Sequence, residues 1–220
     1  MRARDNPFAT ARVHQIRYRF DGTAWEDLMA RLKSMNGRGA IVGPEGAGKT
    51  TLLEDFVPRL RERGWDVVWL RLTREQPRLP SQMLRALASR LTANSFILFD
   101  GAEQLSPWGW WSFLRLFRRA GGLIITSHRA GLLPTLIRCE TSSRLLAGIV
   151  ADLLRGTALP EGVPPDWLFR KHGGNLREAL RELYDLFSTT GEAQATARSG
   201  GEESSFALAP TSIFEASTLR

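Results

Sequence analysis

Lysine is almost missing from this chain. Of the 30 Lys and Arg residues in its 220, only Lys33, Lys49 and Lys171 are lysines. Cysteine is scarcer still, and a lone Cys139 excludes an internal disulfide. Long hydrophobic runs are absent: the best apolar helix candidate, LLAGIVADLL (145–154), contains Asp152 and falls well short of the roughly 20 residues a membrane span needs. The opening MRARDNPFATARV has no apolar stretch of the signal-peptide kind. The expectation is a soluble protein of the reducing cytoplasm, with no membrane partner. His14, His128 and His172 show no metal-ligand spacing with Cys139, so no zinc site is expected, and no G-x-S-x-G elbow offers a covalent nucleophile.

What is present supports a core. With 43% hydrophobic and 24% charged residues, the chain reads as one globular domain, or one domain with a small appendage. Net charge is +7, unevenly placed. Residues 188–220 hold two arginines against four glutamates, a balance of −2, which leaves +9 for residues 1–187. That excess permits binding to a polyanion by phosphate neutralisation. Codon bias in a GC-rich genome would give the same arginine-rich composition.

Hydrophobic periodicity divides the chain. RVHQIRYRF (12–20) alternates Ile16, Tyr18 and Phe20 with Arg17 and Arg19, which predicts a half-buried strand. A helix follows, with Thr23 and Glu26 in capping-box spacing and Trp25, Leu28, Met29 and Leu32 along one face. From residue 36 short apolar runs at 40–42, 66–72, 95–100, 123–126 and, weakly, 136–140 alternate with helical patterns at 49–63, 80–91 and 107–119. This is the signature of an α/β fold, a parallel sheet covered by helices. Pro58 should kink or split the first of those helices, and Gly64 should stop it. Three further helical stretches at 142–155, 164–171 and 175–187 predict a small helical lid, and the polar remainder reads as a disordered tail. The expected organisation is an N-terminal strand and helix (1–35), an α/β core (36–141), the lid (142–187) and the tail (188–220).

One lysine now has its reason. GPEGAGKT (43–50) matches G-x-x-x-x-G-K-[ST] directly after a predicted strand and before a predicted helix. In such a loop Gly43, Pro44, Glu45, Gly46, Ala47, Gly48, Lys49, Thr50 and Thr51 turn backbone N–H groups and a helix N-terminus towards phosphate oxygens. Lys49 would reach the β- and γ-phosphates, and the Thr50 hydroxyl would ligate Mg²⁺. The second metal ligand is expected to be Asp100, at the end of FILFD. The chemistry implied is binding of ATP with Mg²⁺; no [NT]-K-x-D base-reading motif argues for GTP.

The order GPEGAGKT, FILFD, GGLIITSHR and GGNLREALRELYDLF resembles the AAA+ ATPases and their STAND-like relatives, in particular initiator- and transposition-helper-type members, over about residues 36–187. The resemblance implies a five-stranded parallel P-loop NTPase sheet in order 5-1-4-3-2 with a small C-terminal helical lid. It puts a polar sensor at Thr126 and Ser127 and a second sensor at Arg177, and it implies nucleotide-dependent assembly of a homo-oligomer. The chain departs from the family at Gly101, where a water-polarising Glu often follows the Asp. Glu103 is then the nearest carboxylate, with Gln104 and His128 as other groups able to orient water.

The expected function is an ATP-binding, slowly hydrolysing switch that acts on DNA or a partner protein, with Lys49, Asp100 and Glu103 as catalytic residues. Two alternatives stand beside it: a nucleotide-sensing scaffold without turnover, and a small-molecule kinase on the same loop. SPWGWWSFLRLFRRAGG (106–122) sets Trp110, Phe113, Leu114 and Phe117 on one stripe of a core helix. Trp108 or Trp111 would project from the loop beside the nucleotide to stack on a base or dock a partner, with Arg115, Arg118 and Arg119 on phosphates, and the loop 71–80 offers Arg74 and Arg78 to the same surface.

Overall fold

Alternation along the strands decides which helices lie on which side. In β1 (Arg38–Val42), β3 (Ser95–Asp100) and β4 (Gly122–Ser127), Ile41, Phe96, Leu98 and Ile124 face one way. Ala40, Val42, Ile97, Phe99, Leu123 and Ile125 face the other. Both sets are buried, as strands sandwiched between two helical layers must be. The first set packs on α2 (Trp25–Ser34) and α3 (Lys49–Glu62) through Leu28, Leu32, Leu52, Leu53 and Phe56. The second packs on α4 (Ser81–Arg90) and α5 (Pro107–Leu116) through Leu84, Leu87 and Phe113.

This computed structural model describes residues 6–20, 23–73, 75–78, 80–156, 158–159 and 163–199. With β2 (Asp66–Arg71) and β5 (Thr135–Arg138) the sheet has five strands in the order β2-β3-β4-β1-β5, every neighbouring pair parallel. This is the expected 5-1-4-3-2 arrangement. Beyond it, α6 (Ser143–Leu154), α7 (Pro165–Lys171) and α8 (Leu176–Ser199) bury a third cluster around Leu146, Val150, Leu168, Ala179 and Leu183. Phe8, Val13 and Ile16 of the N-terminal segment join it.

Four local expectations fail, each for a physical reason. Residues 12–20 form no strand: a short helix α1 (Thr10–Val13) gives way to irregular backbone. The alternation is real, with Ile16, Tyr18 and Phe20 half-buried and Arg17 and Arg19 exposed, but no strand pairs with it. The Asp55 carboxylate accepts from the Tyr18 N–H instead, at 2.9 Å. The capping box at Thr23 does not form, since the N-cap is Ala24 without a side-chain bond. α3 stays continuous through Pro58, because Pro58 and Glu54, whose carbonyl loses its partner, are both exposed to water. It ends as expected at Gly64, where Gly64 and Trp65 donate to the carbonyls of Arg61 and Leu60. The tail expectation fails for 188–199, which continue α8; residues 200–220 lie outside the described residues.

Candidate functional site

Three strands deliver the candidate residues to the carboxyl edge of the sheet, where α/β folds hold ligands. β1 ends at Val42 and the chain curls through 43–48 before α3 begins. Gly46 and Gly48 take φ of +75° and +76°, the left-handed region that suits glycine. The curl is packed from beneath: a methyl group on Gly43 would come 2.5 Å from the Cys139 carbonyl oxygen, and one on Gly46 would overlap Asn175 Oδ1. That asparagine begins the lid helix, its Oδ1 accepting from the N–H groups of Arg177 and Glu178. The first turn of α8 therefore rests on the loop.

Lys49 is buried at the head of α3, with Nζ donating to the carbonyls of Gly43 at 2.8 Å and Pro44 at 2.7 Å. Burial lowers its pKa, and the carboxylate of Glu103 is the strongest of the charges opposing that shift. One residue on, Thr50 Oγ1 donates to Asp100 Oδ2 at 3.0 Å. The other oxygen, Oδ1, accepts from Thr126 Oγ1 at 2.7 Å, and the Thr126 hydroxyl accepts in turn from the Gly101 N–H at 2.8 Å. Arg71 Nε stands 3.4 Å from Asp100 Oδ2. These partners explain how a carboxylate only 7% exposed is tolerated at the end of a fully buried strand.

The donor set fits a small hard cation. Mg²⁺ holds oxygen ligands at about 2.1 Å in an octahedron, so two adjacent ligands stand about 3 Å apart, the spacing of the Thr50 and Asp100 oxygens. No group of three or more His, Cys, Asp or Glu gathers among the described residues. The remaining ligands would therefore be phosphate and water, as is usual for this ion.

The other expected residues are placed as follows. Thr51 is half-buried in the first turn of α3, Ala47 is buried, and Pro44 and Glu45 are exposed on the loop. Thr126 is engaged with Asp100, and the Ser127 hydroxyl donates to the Arg129 carbonyl at 2.7 Å, so both hydroxyls at the end of β4 are already used. Arg177 is exposed in the first turn of α8. Glu103 lies on a 3₁₀ turn, Ala102–Gln104, with Oε1 3.5 Å from His128 Nδ1. Trp108 and Trp111 sit on α5 itself rather than on a loop, 80% and 56% exposed. Arg78 is exposed, and Arg74 lies outside the described residues. Sequence reasoning missed Arg71 and Tyr18. Arg71 meets Asp100 through the register of β2 on β3. The Tyr18 ring lies against Gly48, where an added methyl would be 3.4 Å from it.

A parallel sheet in this order, with a glycine loop between the first strand and the helix after it and an acidic residue ending the third, has the architecture of a P-loop NTPase fold. Among solved structures it is similar to a DNA replication initiation factor (18% identity, TM-score 0.53, covering 79% of this chain and 62% of that one). It is also similar to the replication initiator DnaA bound to AMPPCP and single-stranded DNA (17%, 0.56, 84% and 67%) and to domain III of the Thermotoga maritima replication initiation protein DnaA (17%, 0.54, 80% and 88%). The chain thus spans under two thirds of the first of these proteins and about two thirds of the second. No family model and no curated protein matches the sequence.

Proposed function

We propose that this chain binds Mg²⁺-ATP on the 43–51 loop, hydrolyses it slowly, and works as a nucleotide-dependent switch on DNA. The observation that carries the reading is the 3.0 Å contact between the Thr50 hydroxyl and the Asp100 carboxylate at the mouth of a loop that already holds a buried lysine. Loop amides and Lys49 take the phosphates, Thr50 and Asp100 take the metal, and Arg177 approaches from the lid. Asn175, seated on Gly46, gives the lid a direct contact through which nucleotide state is felt.

The DNA arm rests on surface chemistry. From Gln76 to Phe99 and from Gln104 to Cys139 the chain has no Asp or Glu. Those segments include α4 and α5, where Arg85, Arg90 and Arg115 are exposed along with Trp108 and Trp111, and exposed Arg118 and Arg119 follow just after α5. Arg115 lies 5.7 Å from the Trp111 ring centroid. Arginines for phosphates beside exposed indoles suit single-stranded DNA, and one solved neighbour was seen with such a strand. A second reading, a nucleotide-sensing scaffold without turnover that works on a protein partner, is favoured by Gly101.

The test is ATP binding and turnover by purified protein, with and without single-stranded or duplex DNA, using Lys49→Ala as the blank. Turnover stimulated by DNA supports the switch. Binding without turnover under all conditions selects the scaffold, and no binding by the wild type ends the reading.

A further inference from the structure

Hydrolysis needs a group that orients the attacking water, and the structure explains why a carboxylate for that work cannot follow Asp100 directly. Gly101 has φ of +82°, and a Cβ there would overlap the Leu72 carbonyl oxygen. The position is closed to glutamate by backbone conformation and by space together. Two residues on, the 3₁₀ turn returns a carboxylate to the same edge at Glu103.

That carboxylate is unusual in its surroundings. Of the buried side-chain nitrogens and oxygens of the described residues, Oε2 of Glu103 alone has no hydrogen-bond partner. A buried carboxylate oxygen left bare carries a cost, which persists where a site needs a free acceptor. The other oxygen faces His128 Nδ1 at 3.5 Å, a separation that catalytic contacts close when substrate binds. His128 directly follows β4, at its carboxyl edge, just after the two hydroxyls already used by Asp100 and Arg129. The same carboxylate is the strongest charge acting to keep Lys49 protonated, so it stands within electrostatic reach of the loop lysine.

We propose that Glu103 and His128 form a relocated water-activating pair. Glu103 is the catalytic residue whose Oε2 accepts from the attacking water, and His128 is a positioning residue that fixes Oε1 from the end of β4. The proposal rests on the nucleotide-hydrolysing reading above. In the step it serves, the water oxygen bonds to the γ-phosphorus while the bond from that phosphorus to the β–γ bridging oxygen breaks. The bond's electron pair leaves on ADP, and the water proton passes to Oε2 and on to the released phosphate. Glu103 is regenerated, and no other reactant is consumed.

The experiment is single-turnover ATP hydrolysis with a parallel measurement of nucleotide affinity on wild type, Glu103→Gln, His128→Ala, His128→Asn and the Glu103→Gln/His128→Ala double variant. Glu103→Gln should lower the rate about 10²-fold or more while ATP still binds. His128→Ala should lower it about tenfold, without affecting affinity, and His128→Asn, which keeps an N–H donor, should recover most of that loss. Since His128 acts only through Glu103, the double variant should be no slower than Glu103→Gln alone. The pair is overturned if Glu103→Gln turns over like wild type, if the two losses multiply, or if His128→Ala weakens affinity instead of rate. Wild type that binds ATP but never hydrolyses it overturns the pair and leaves the binding reading intact; wild type that does not bind overturns both.

Discussion

Lys49 is held in waiting by the loop it serves. Its ammonium donates to two loop carbonyls at the mouth of the anion cup, and burial makes the charged form costly enough to lower its pKa. A triphosphate would offer stronger, charged acceptors within the same reach. Lys49→Ala should therefore abolish measurable ATP binding, read by fluorescence titration, while the melting temperature of the unliganded protein changes little. Gly101 predicts the opposite pattern. Gly101→Ala adds a left-handed residue, about 1–2 kcal/mol, and a collision with the Leu72 carbonyl. It should lower the melting temperature by several degrees, at about 2–4 °C per kcal/mol for a domain of this size. The loop and Asp100 were legible from sequence because each is a local pattern of residue types. Arg71 beside Asp100 was not, since their meeting depends on which strands pair and in what register. The use of the Thr126 hydroxyl was hidden for the same reason: a polar residue at a strand end reads alike whether it waits for a ligand or supports a neighbour.

At the scale of elements, the sheet and most helices were readable because apolar period and length distinguish them, and the same patterns became the two buried faces. The N-terminal segment shows the limit. Its period-two pattern correctly marks which side chains face inward but says nothing about whether a strand lies alongside to complete the ladder. The lid offers a pH test. Glu182 on α8 accepts from Lys171 Nζ at 2.7 Å and meets His172 Nε2 at 2.6 Å, tying α8 to the end of α7. The Lys171 hydrogen bond lowers the Glu182 pKa from its ordinary 4.5, with His172 adding to the effect. A carboxylate depressed in the folded state stabilises above its unfolded pKa, and that contribution fades as pH falls through the folded value. Lid stability, followed by hydrogen exchange of α7 and α8, should hold from neutral pH down to about 4.5 and decline below it. Glu182→Gln should remove that acid-dependent part.

On the scale of the whole molecule, one N-terminal strap joins the core to the lid. Asn6 Nδ2 donates to the Tyr184 carbonyl at 2.8 Å, and Phe8 is buried in the lid cluster. Further along, Arg17 and the Tyr18 N–H are held by Asp55 of α3, and Arg19 pairs with Asp152 of α6. The two carboxylates differ in environment: the Asp55 side chain is 4% exposed, that of Asp152 60%. An exposed pair contributes about 0–1 kcal/mol, so Asp152→Ala should leave the melting temperature almost unchanged. Removing the buried acceptor strands the Tyr18 N–H and frees Arg17, which should cost about 1–3 kcal/mol. Because the Tyr18 ring lies against Gly48, Asp55→Ala should also weaken ATP binding, although Asp55 is no part of the proposed phosphate or metal contacts. Calorimetric melts and nucleotide titrations on the two variants settle the matter. Equal effects from both would show that the strap is a surface feature with no bearing on the loop, whereas a loss confined to Asp55→Ala would make the strap the support that keeps the anion cup in shape.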